Sequence, residues 1–127
     1  TINGGSFAGN ITSLSTTATT LNLASSSNQI ISGNISNSSG ALTVNKSGAG
    51  ILTLSGTNTY TGATAVSGGS LDLTGTLTSA ITVSSGATLR GSGSTTGDIT
   101  LNSGAILLAD GSAAVQGATV TTGGPVT

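Results

Sequence analysis

Short runs that alternate apolar, polar and apolar residues recur along this chain and constrain its fold more than any other feature. Because successive side chains of a β-strand point to opposite faces, each run predicts a short strand with one buried and one solvated face. No window places apolar residues at helical spacing, so we expect almost no helix. The runs lie at residues 21–23, 42–44, 52–54, 71–73, 81–83 and 99–101.

A longer repeat is superimposed on the strands. The segment 66–71 is echoed at 83–89 and at 101–107, and Gly69, Gly86 and Gly104 mark a period of about 17 to 18 residues. This period is typical of solenoids, in which glycine supplies the positive φ that tight turns need. Stacked at the ~4.8 Å strand spacing, the chain would form roughly six coils of a parallel β-helix, about 30 Å long.

An antiparallel Greek-key sandwich is the alternative all-β fold, since strands about every 8–12 residues suit it as well. The self-similar period favours the solenoid. So does the near absence of aromatic rings, because a narrow coil has room inside for few of them. The only aromatic residues are Phe7 and Tyr60. We therefore predict an all-β, single-stranded parallel β-helix, with residues 1–127 forming one domain. The absence of methionine indicates a fragment or a processed form.

Composition excludes several kinds of function. The chain has 127 residues, of which 4% are charged, a net charge of −1, and no histidine or cysteine. Two basic residues cannot neutralise a phosphate backbone, so we expect no nucleic-acid binding. Without histidine or cysteine we expect no cofactor, no transition-metal site and no cysteine or serine–histidine nucleophile. The longest apolar run, residues 105–109, is too short for a membrane span, so none is expected in this chain.

One segment carries a specific motif, in which Lys46 precedes a series of fixed positions. These are Gly48, Gly50, Leu52, Leu54, Gly56, Asn58, Tyr60, Gly62, Thr64, Val66 and Leu71. The segment 46–73 closely resembles the passenger-associated transport repeat of bacterial autotransporters (type V secretion). The resemblance implies a right-handed parallel β-helix outside a Gram-negative cell and a C-terminal membrane domain beyond this chain. It also implies a role in passenger export and folding rather than catalysis.

Within this motif we interpret Asn58 as a turn former and Tyr60 as a ring that caps a coil; a ligand-stacking role for Tyr60 is the alternative. The carboxylates Asp72, Asp98 and Asp110 could suggest a polysaccharide hydrolase. Their spacings of about 26 and 12 residues do not match the repeat, so we expect them on different faces of the solenoid.

The sequence therefore favours a non-catalytic structural or adhesive segment of an autotransporter-type protein on the bacterial cell surface. The alternative is an extracellular fibre subunit that stacks end to end by strand pairing, since an uncapped solenoid leaves unpaired strand edges. The expected partners are neighbouring coils or copies of the chain itself. A host or cell-surface ligand is possible, but no residue identifies one. A carbohydrate-active enzyme would need a carboxylate cluster that the sequence lacks.

Overall fold

A coil of three short strands is the unit of the fold. The computed structural model describes residues 5–109 and 120–122, and for Ala109 and residues 120–122 it describes the course of the backbone alone. These residues form seventeen strands and no helix. None of the described elements is therefore a helix with the length and hydropathy that a membrane crossing requires.

Five coils carry three strands each, and two further strands begin a sixth. Coil 1 consists of β1 (Gly5–Phe7), β2 (Ile11–Ser13) and β3 (Thr19–Ala24). Coil 2 consists of β4 (Gln29–Ile31), β5 (Ile35–Asn37) and β6 (Leu42–Ser47). Coil 3 consists of β7 (Ile51–Leu54), β8 (Thr57–Asn58) and β9 (Thr64–Val66). Coil 4 consists of β10 (Ser70–Leu73), β11 (Thr76–Leu77) and β12 (Ile81–Val83). Coil 5 consists of β13 (Thr88–Gly91), β14 (Ser94–Thr95) and β15 (Ile99–Leu101). Coil 6 begins with β16 (Ile106–Ala109) and β17 (Val120–Thr122).

Equivalent strands of successive coils pair in parallel and build three faces. The first face has the order β1-β4-β7-β10-β13-β16, and the third face runs from β3 to β17 as β3-β6-β9-β12-β15-β17. The second face consists of β2-β5 and β8-β11-β14. These two parts meet where the Thr59 amide donates to the Ile35 carbonyl at 2.9 Å. The predicted all-β parallel solenoid is confirmed; its right-handed winding stays a prediction, and it is the usual hand of parallel crossovers.

The coils become shorter along the chain, as the register of the first face shows. Gly5 pairs with Gln29, and Gln29 pairs with Leu52. The next steps along the sequence, from Leu52 to Leu71 and from Leu71 to Leu89, are shorter than these two. The period predicted from the glycines therefore holds for coils 4 and 5. Coils 1 and 2 are longer, partly because β3 and β6 extend over more residues than the other strands.

Inward side chains align into apolar columns that form the core. Because every strand alternates, each coil places apolar residues against those of the coils on both sides, and one core runs the length of the solenoid. Coil 1 has a described neighbour on one side alone, and its Phe7 is 40% exposed although its register partner Ile31 is 1% exposed. The first face carries two inward columns, Leu52, Leu71, Leu89 and Ile31, Leu54, Leu73.

A column of glycines forms the corner between the first and second faces, one in each coil. Its members are Gly9, Gly33, Gly56, Gly75 and Gly93. In each of the last four, an added Cβ would overlap the carbonyl oxygen of the glycine one coil earlier. At Gly9 an added Cβ would touch the Phe7 ring alone, at 3.5 Å. The corner therefore requires glycine because the backbones of successive coils approach too closely for a side chain.

In the corner between the third and first faces, three glycines also supply a backbone conformation that other residues rarely adopt. Gly69, Gly86 and Gly104 have φ angles of 61°, 80° and 86°, in the left-handed region where other residues are strained. These are the glycines from which the sequence period was measured. Their expected role as turn residues is confirmed.

Candidate functional site

The motif residues lie in coil 3, in the corners at its two ends or, for Leu71, in β10 of coil 4. Leu52, Leu54, Val66 and Leu71 are fully buried. The evenly spaced glycines Gly50, Gly56 and Gly62 lie at the three corners of the coil. An added Cβ at each would overlap a backbone carbonyl of coil 2, from Ser27, Gly33 and Leu42 in turn. The glycine spacing of the motif thus reflects close packing of one whole coil on the coil before it.

Asn58 joins three coils from inside the solenoid and is 1% exposed. Its Oδ1 accepts the backbone N–H of Ile35 in coil 2 at 3.0 Å. Its Nδ2 donates to the carbonyl oxygens of Gly56 and of Thr76 in coil 4, both at 3.2 Å. One side chain therefore hydrogen-bonds backbone groups of three successive coils along the short strands of the second face.

Lys46 is also buried, in the inward column between Leu23 and Val66. Its Nζ donates to the carbonyl oxygens of Ser47 and Gly48 at 2.9 Å and of Gly68 at 3.2 Å. Three acceptors match the three N–H donors of an ammonium group. Burial lowers the pKa of Lys46 from its usual 10.5. The side chain ties the end of coil 2 to the end of coil 3.

A third buried connection consists of hydroxyl groups. The Tyr60 hydroxyl lies 2.6 Å from Thr64 Oγ1, which lies 2.9 Å from Ser79 Oγ in coil 4. Ser79 Oγ donates in turn to the Ala80 carbonyl at 3.0 Å. Tyr60, Thr64 and Ser79 are at most 4% exposed. We refer to Lys46, Asn58, Tyr60, Thr64 and Ser79 together as the polar seam. Its chemistry is hydrogen bonding between coils in a core that is mostly apolar.

One family model matches the segment that contains most of the polar seam. Residues 44–73 match the family model described as passenger-associated-transport-repeat. This segment is a passenger-associated transport repeat. It includes every motif position predicted from the sequence, and the predicted resemblance is confirmed. Comparisons with curated proteins and with solved structures found no match.

Two interpretations of residues in the transport repeat were wrong. Asn58 is not in a turn, since it lies in β8 with its side chain in the interior. Tyr60 does not cap a coil, because it is fully buried between the neighbouring coils and its hydroxyl is bonded internally. The same burial leaves no ring surface on which a ligand could stack. In both cases the side chain fills the core, and its polar atoms have partners there.

The carboxylates occupy different faces, where the structure describes them. Asp72 lies on the first face opposite Arg90, with 3.6 Å between the nearest nitrogen and oxygen. Asp98 is exposed just before β15 on the third face, and Asp110 lies outside the described residues. Within the described residues no three His, Cys, Asp or Glu side chains are grouped where they could hold a metal ion.

The sequence did not identify three buried polar residues outside the fixed motif positions: Gln29, Ser79 and Thr95. Thr95 Oγ1 accepts the Gly97 N–H at 3.2 Å, and its partner on the other side is the Ser79 carbonyl at 3.5 Å. Lys46 was noted as a motif position, but its burial was not anticipated. The signal was present, because Lys46 continues the inward alternation of Leu42 and Val44.

Tyr60 should make stability depend on alkaline pH. Burial raises its pKa to about 12, although its hydrogen bonds act in the opposite direction. An acid with a raised pKa stabilises the folded state below its unfolded pKa of about 10, and this contribution is lost between about pH 10 and 12. We expect the difference in free energy of unfolding between wild type and Tyr60→Phe to change by roughly 2–3 kcal/mol across that range.

Urea unfolding of both proteins at pH 9, 10 and 11 and above measures this difference. Both proteins contain Lys46, whose own pH dependence therefore cancels in the comparison. Equal changes in stability for the two proteins would contradict the assignment to Tyr60.

Proposed function

We propose that this chain is a non-catalytic structural segment of the extracellular passenger of a bacterial autotransporter, carried at the cell surface as a stalk or adhesive scaffold. The observation that carries the proposal is the transport repeat at residues 44–73. That repeat runs from β6 through coil 3 to β10 of the parallel stack. Because this repeat is associated with the transport of passenger segments, it supports a secreted location at the cell surface.

The mechanics of the described coils support a stalk. Each strand of the first and third faces pairs with the equivalent strands of the adjacent described coils, and the interior columns continue across those junctions. A stack held in this way resists bending because every coil contacts its neighbours over all three faces. The outward side chains add short polar contacts between coils, such as Thr12 Oγ1 with Ser36 Oγ at 3.1 Å and Asn45 Nδ2 donating to Asn22 Oδ1 at 3.3 Å.

The non-catalytic part of the proposal is supported by the arrangement of the few charged groups. Lys46 is buried and bonded to three carbonyl oxygens. Asp72 lies near Arg90, and Asp98 is on another face. A carboxylate pair for glycoside hydrolysis needs two such groups about 5–10 Å apart, on either side of the same bond. Release of sugars from acidic polysaccharides that is lost in Asp72→Asn would contradict this part of the proposal.

A display experiment tests the location. The chain is placed between the signal peptide and the membrane domain of a characterised autotransporter and expressed in a Gram-negative cell. We expect antibody added to intact cells to detect it, and we expect the displayed coils to resist external protease. The control carries Gly56→Val, which prevents coil 3 from packing on coil 2 and should make the displayed chain protease-sensitive. A wild-type chain that stays inside the cell would contradict the proposal.

A subunit that stacks end to end is a second candidate, favoured by the open side of coil 1. Within the described residues nothing pairs with the outer edges of β1, β2 and β3. Phe7 is 40% exposed there and Leu14 is 79% exposed. Edges of this kind recruit further strands. Negative-stain electron microscopy at low and high concentration distinguishes the two candidates, since only stacking gives unbranched rods that lengthen with concentration.

A further inference from the structure

We propose that the polar seam fixes the register of coil 3 on coil 2, and that it thereby selects one structure among several that this repetitive chain could form. The proposal concerns folding and goes beyond the proposed function. It begins from a pairing on the third face that apolar contacts do not explain. There Val44 pairs with Thr64, and Lys46 pairs with Val66.

A shift of β9 by two positions would improve the apolar match. It would place Val66 opposite Val44 and would leave every inward residue pointing inward, because side chains alternate with a period of two. Hydrophobic burial alone therefore does not favour the observed register over the shifted one. Another interaction has to select it.

Two members of the polar seam cross from coil 2 to coil 3, one on the third face and one on the second, and each bond depends on how the two coils are aligned. Lys46 Nζ reaches the Gly68 carbonyl at 3.2 Å, and Asn58 Oδ1 accepts the Ile35 amide at 3.0 Å. In the shifted register Gly68 would lie beside the backbone of Lys46, and its carbonyl would no longer be aligned with Nζ at the tip of the side chain. The shift would leave one of the three buried ammonium donors without its acceptor, while the Ser47 and Gly48 carbonyls would stay within reach. An unpaired buried donor is costly, so polar groups inside a core can specify one register where apolar groups permit several.

The polar seam spans the junction of coils 2 and 3, where the steps along the sequence differ between the first and third faces. Between coils 2 and 3 the first face advances from Gln29 to Leu52, a longer step along the sequence than the one from Val44 to Thr64 on the third face. The number of residues per coil therefore differs between the two faces at this junction. For this reason, the register of the strands on the first face does not fix the register on the third face. Beyond this junction the steps on the third face become shorter and nearly uniform, from Thr64 to Ile81 and from there into β15.

Cysteine pairs can report the register because the chain has no cysteine of its own. Asn45 pairs with Ala65 in the observed structure, so Asn45→Cys with Ala65→Cys reports the observed register. In the shifted register Asn45 would face Ser67, so Asn45→Cys with Ser67→Cys reports the shift. Diagonal neighbours in a sheet are about 7–8 Å apart, at or beyond the roughly 7 Å limit for a disulfide. Each pair is introduced into the full chain, which is refolded and oxidised at low concentration.

In the wild-type background we expect the Ala65 pair to cross-link and the Ser67 pair to remain largely reduced. With Lys46→Met and Asn58→Leu, we expect at least a tenfold rise in the cross-linked fraction of the Ser67 pair. The control is Leu89→Ala, which removes a buried side chain remote from the seam and should weaken the fold without shifting this register.

Cross-linking of the Ser67 pair that stays at the wild-type level in folded seam variants would overturn the proposal. An equal rise in Leu89→Ala would overturn it as well, because loss of stability alone would then explain the shift. If circular dichroism shows that the double variant does not fold, Lys46→Met alone is scored by the same assay. A rise of the Ser67 pair in that variant supports the proposal, and its absence overturns it.

Discussion

Alanine in place of Gly75 should destabilise the folded chain by about 2–3 kcal/mol. The added methyl group would overlap the carbonyl oxygen of Gly56 and the backbone of Ser55 in the preceding coil. Every one of these atoms belongs to the backbone, so no side chain can rotate away to make room. The two coils would have to separate along this corner, which would weaken the strand pairing on the first and second faces. Urea unfolding followed by circular dichroism measures the loss.

The control for this substitution lies in the same glycine column. Gly9→Ala makes the same chemical change in coil 1, where the new methyl group would touch the Phe7 ring alone, at 3.5 Å. We expect it to change the free energy of unfolding by no more than about 0.5 kcal/mol. Similar losses at both positions would mean that glycine matters here for backbone freedom and not for the approach of successive coils.

Asn58→Asp should cost about 3–5 kcal/mol at pH 7, although it preserves the shape of the side chain. One carboxylate oxygen could still accept the Ile35 N–H. The other would face the carbonyl oxygens of Gly56 and Thr76, to which Asn58 now donates. The substitution therefore replaces two attractive contacts with two repulsive ones and adds a buried charge.

The loss in Asn58→Asp should also depend on pH in a defined direction. Burial and the facing carbonyls raise the pKa of the new carboxyl group in the folded state. An acid with a raised pKa favours folding below its unfolded pKa of about 3.9 and disfavours it as the pH rises. The difference from wild type should therefore be smaller at pH 3 than at pH 7.

Asn45→Asp provides the control, since Asn45 is half-buried on the outer surface and its Nδ2 bonds to Asn22 at 3.3 Å. We expect it to cost no more than about 1 kcal/mol, with little dependence on pH between 5 and 7. Equal losses at positions 45 and 58 would contradict the bridging role of Asn58.

The repetitive features of the fold could be predicted from the sequence, because each is local. Alternation in runs such as 71–73 and 81–83 identifies strands and their inward faces. The turn glycines Gly69, Gly86 and Gly104 have the positive φ that their pattern indicated. The greater length of coils 1 and 2 was not predicted, since the segment before residue 40 has no comparable series of turn glycines from which a period could be measured.

The buried roles of Asn58 and Tyr60 could not be predicted for a physical reason. Whether a polar side chain can be buried depends on which backbone groups of the adjacent coils lie beside it. For Asn58 these belong to Ile35 and Thr76, each a full coil away along the sequence. Only the register between coils brings them together, and that register is a property of the stack. Asparagine and tyrosine taken singly are more common in turns and at surfaces.

The uniform spacing of coils 4 and 5 also has a genetic consequence. On the first face their strands advance in equal steps, from Leu71 to Leu89 and on to Leu107, and each coil contacts its two neighbours alone. An in-frame duplication of one such unit would insert a coil whose upper and lower surfaces match those already present. The molecule would lengthen by one strand spacing, about 4.8 Å, with no new kind of interface. Duplications in this part of the gene can therefore change the length of the solenoid in small equal steps. A duplication across the junction of coils 2 and 3 would instead join surfaces of unequal perimeter.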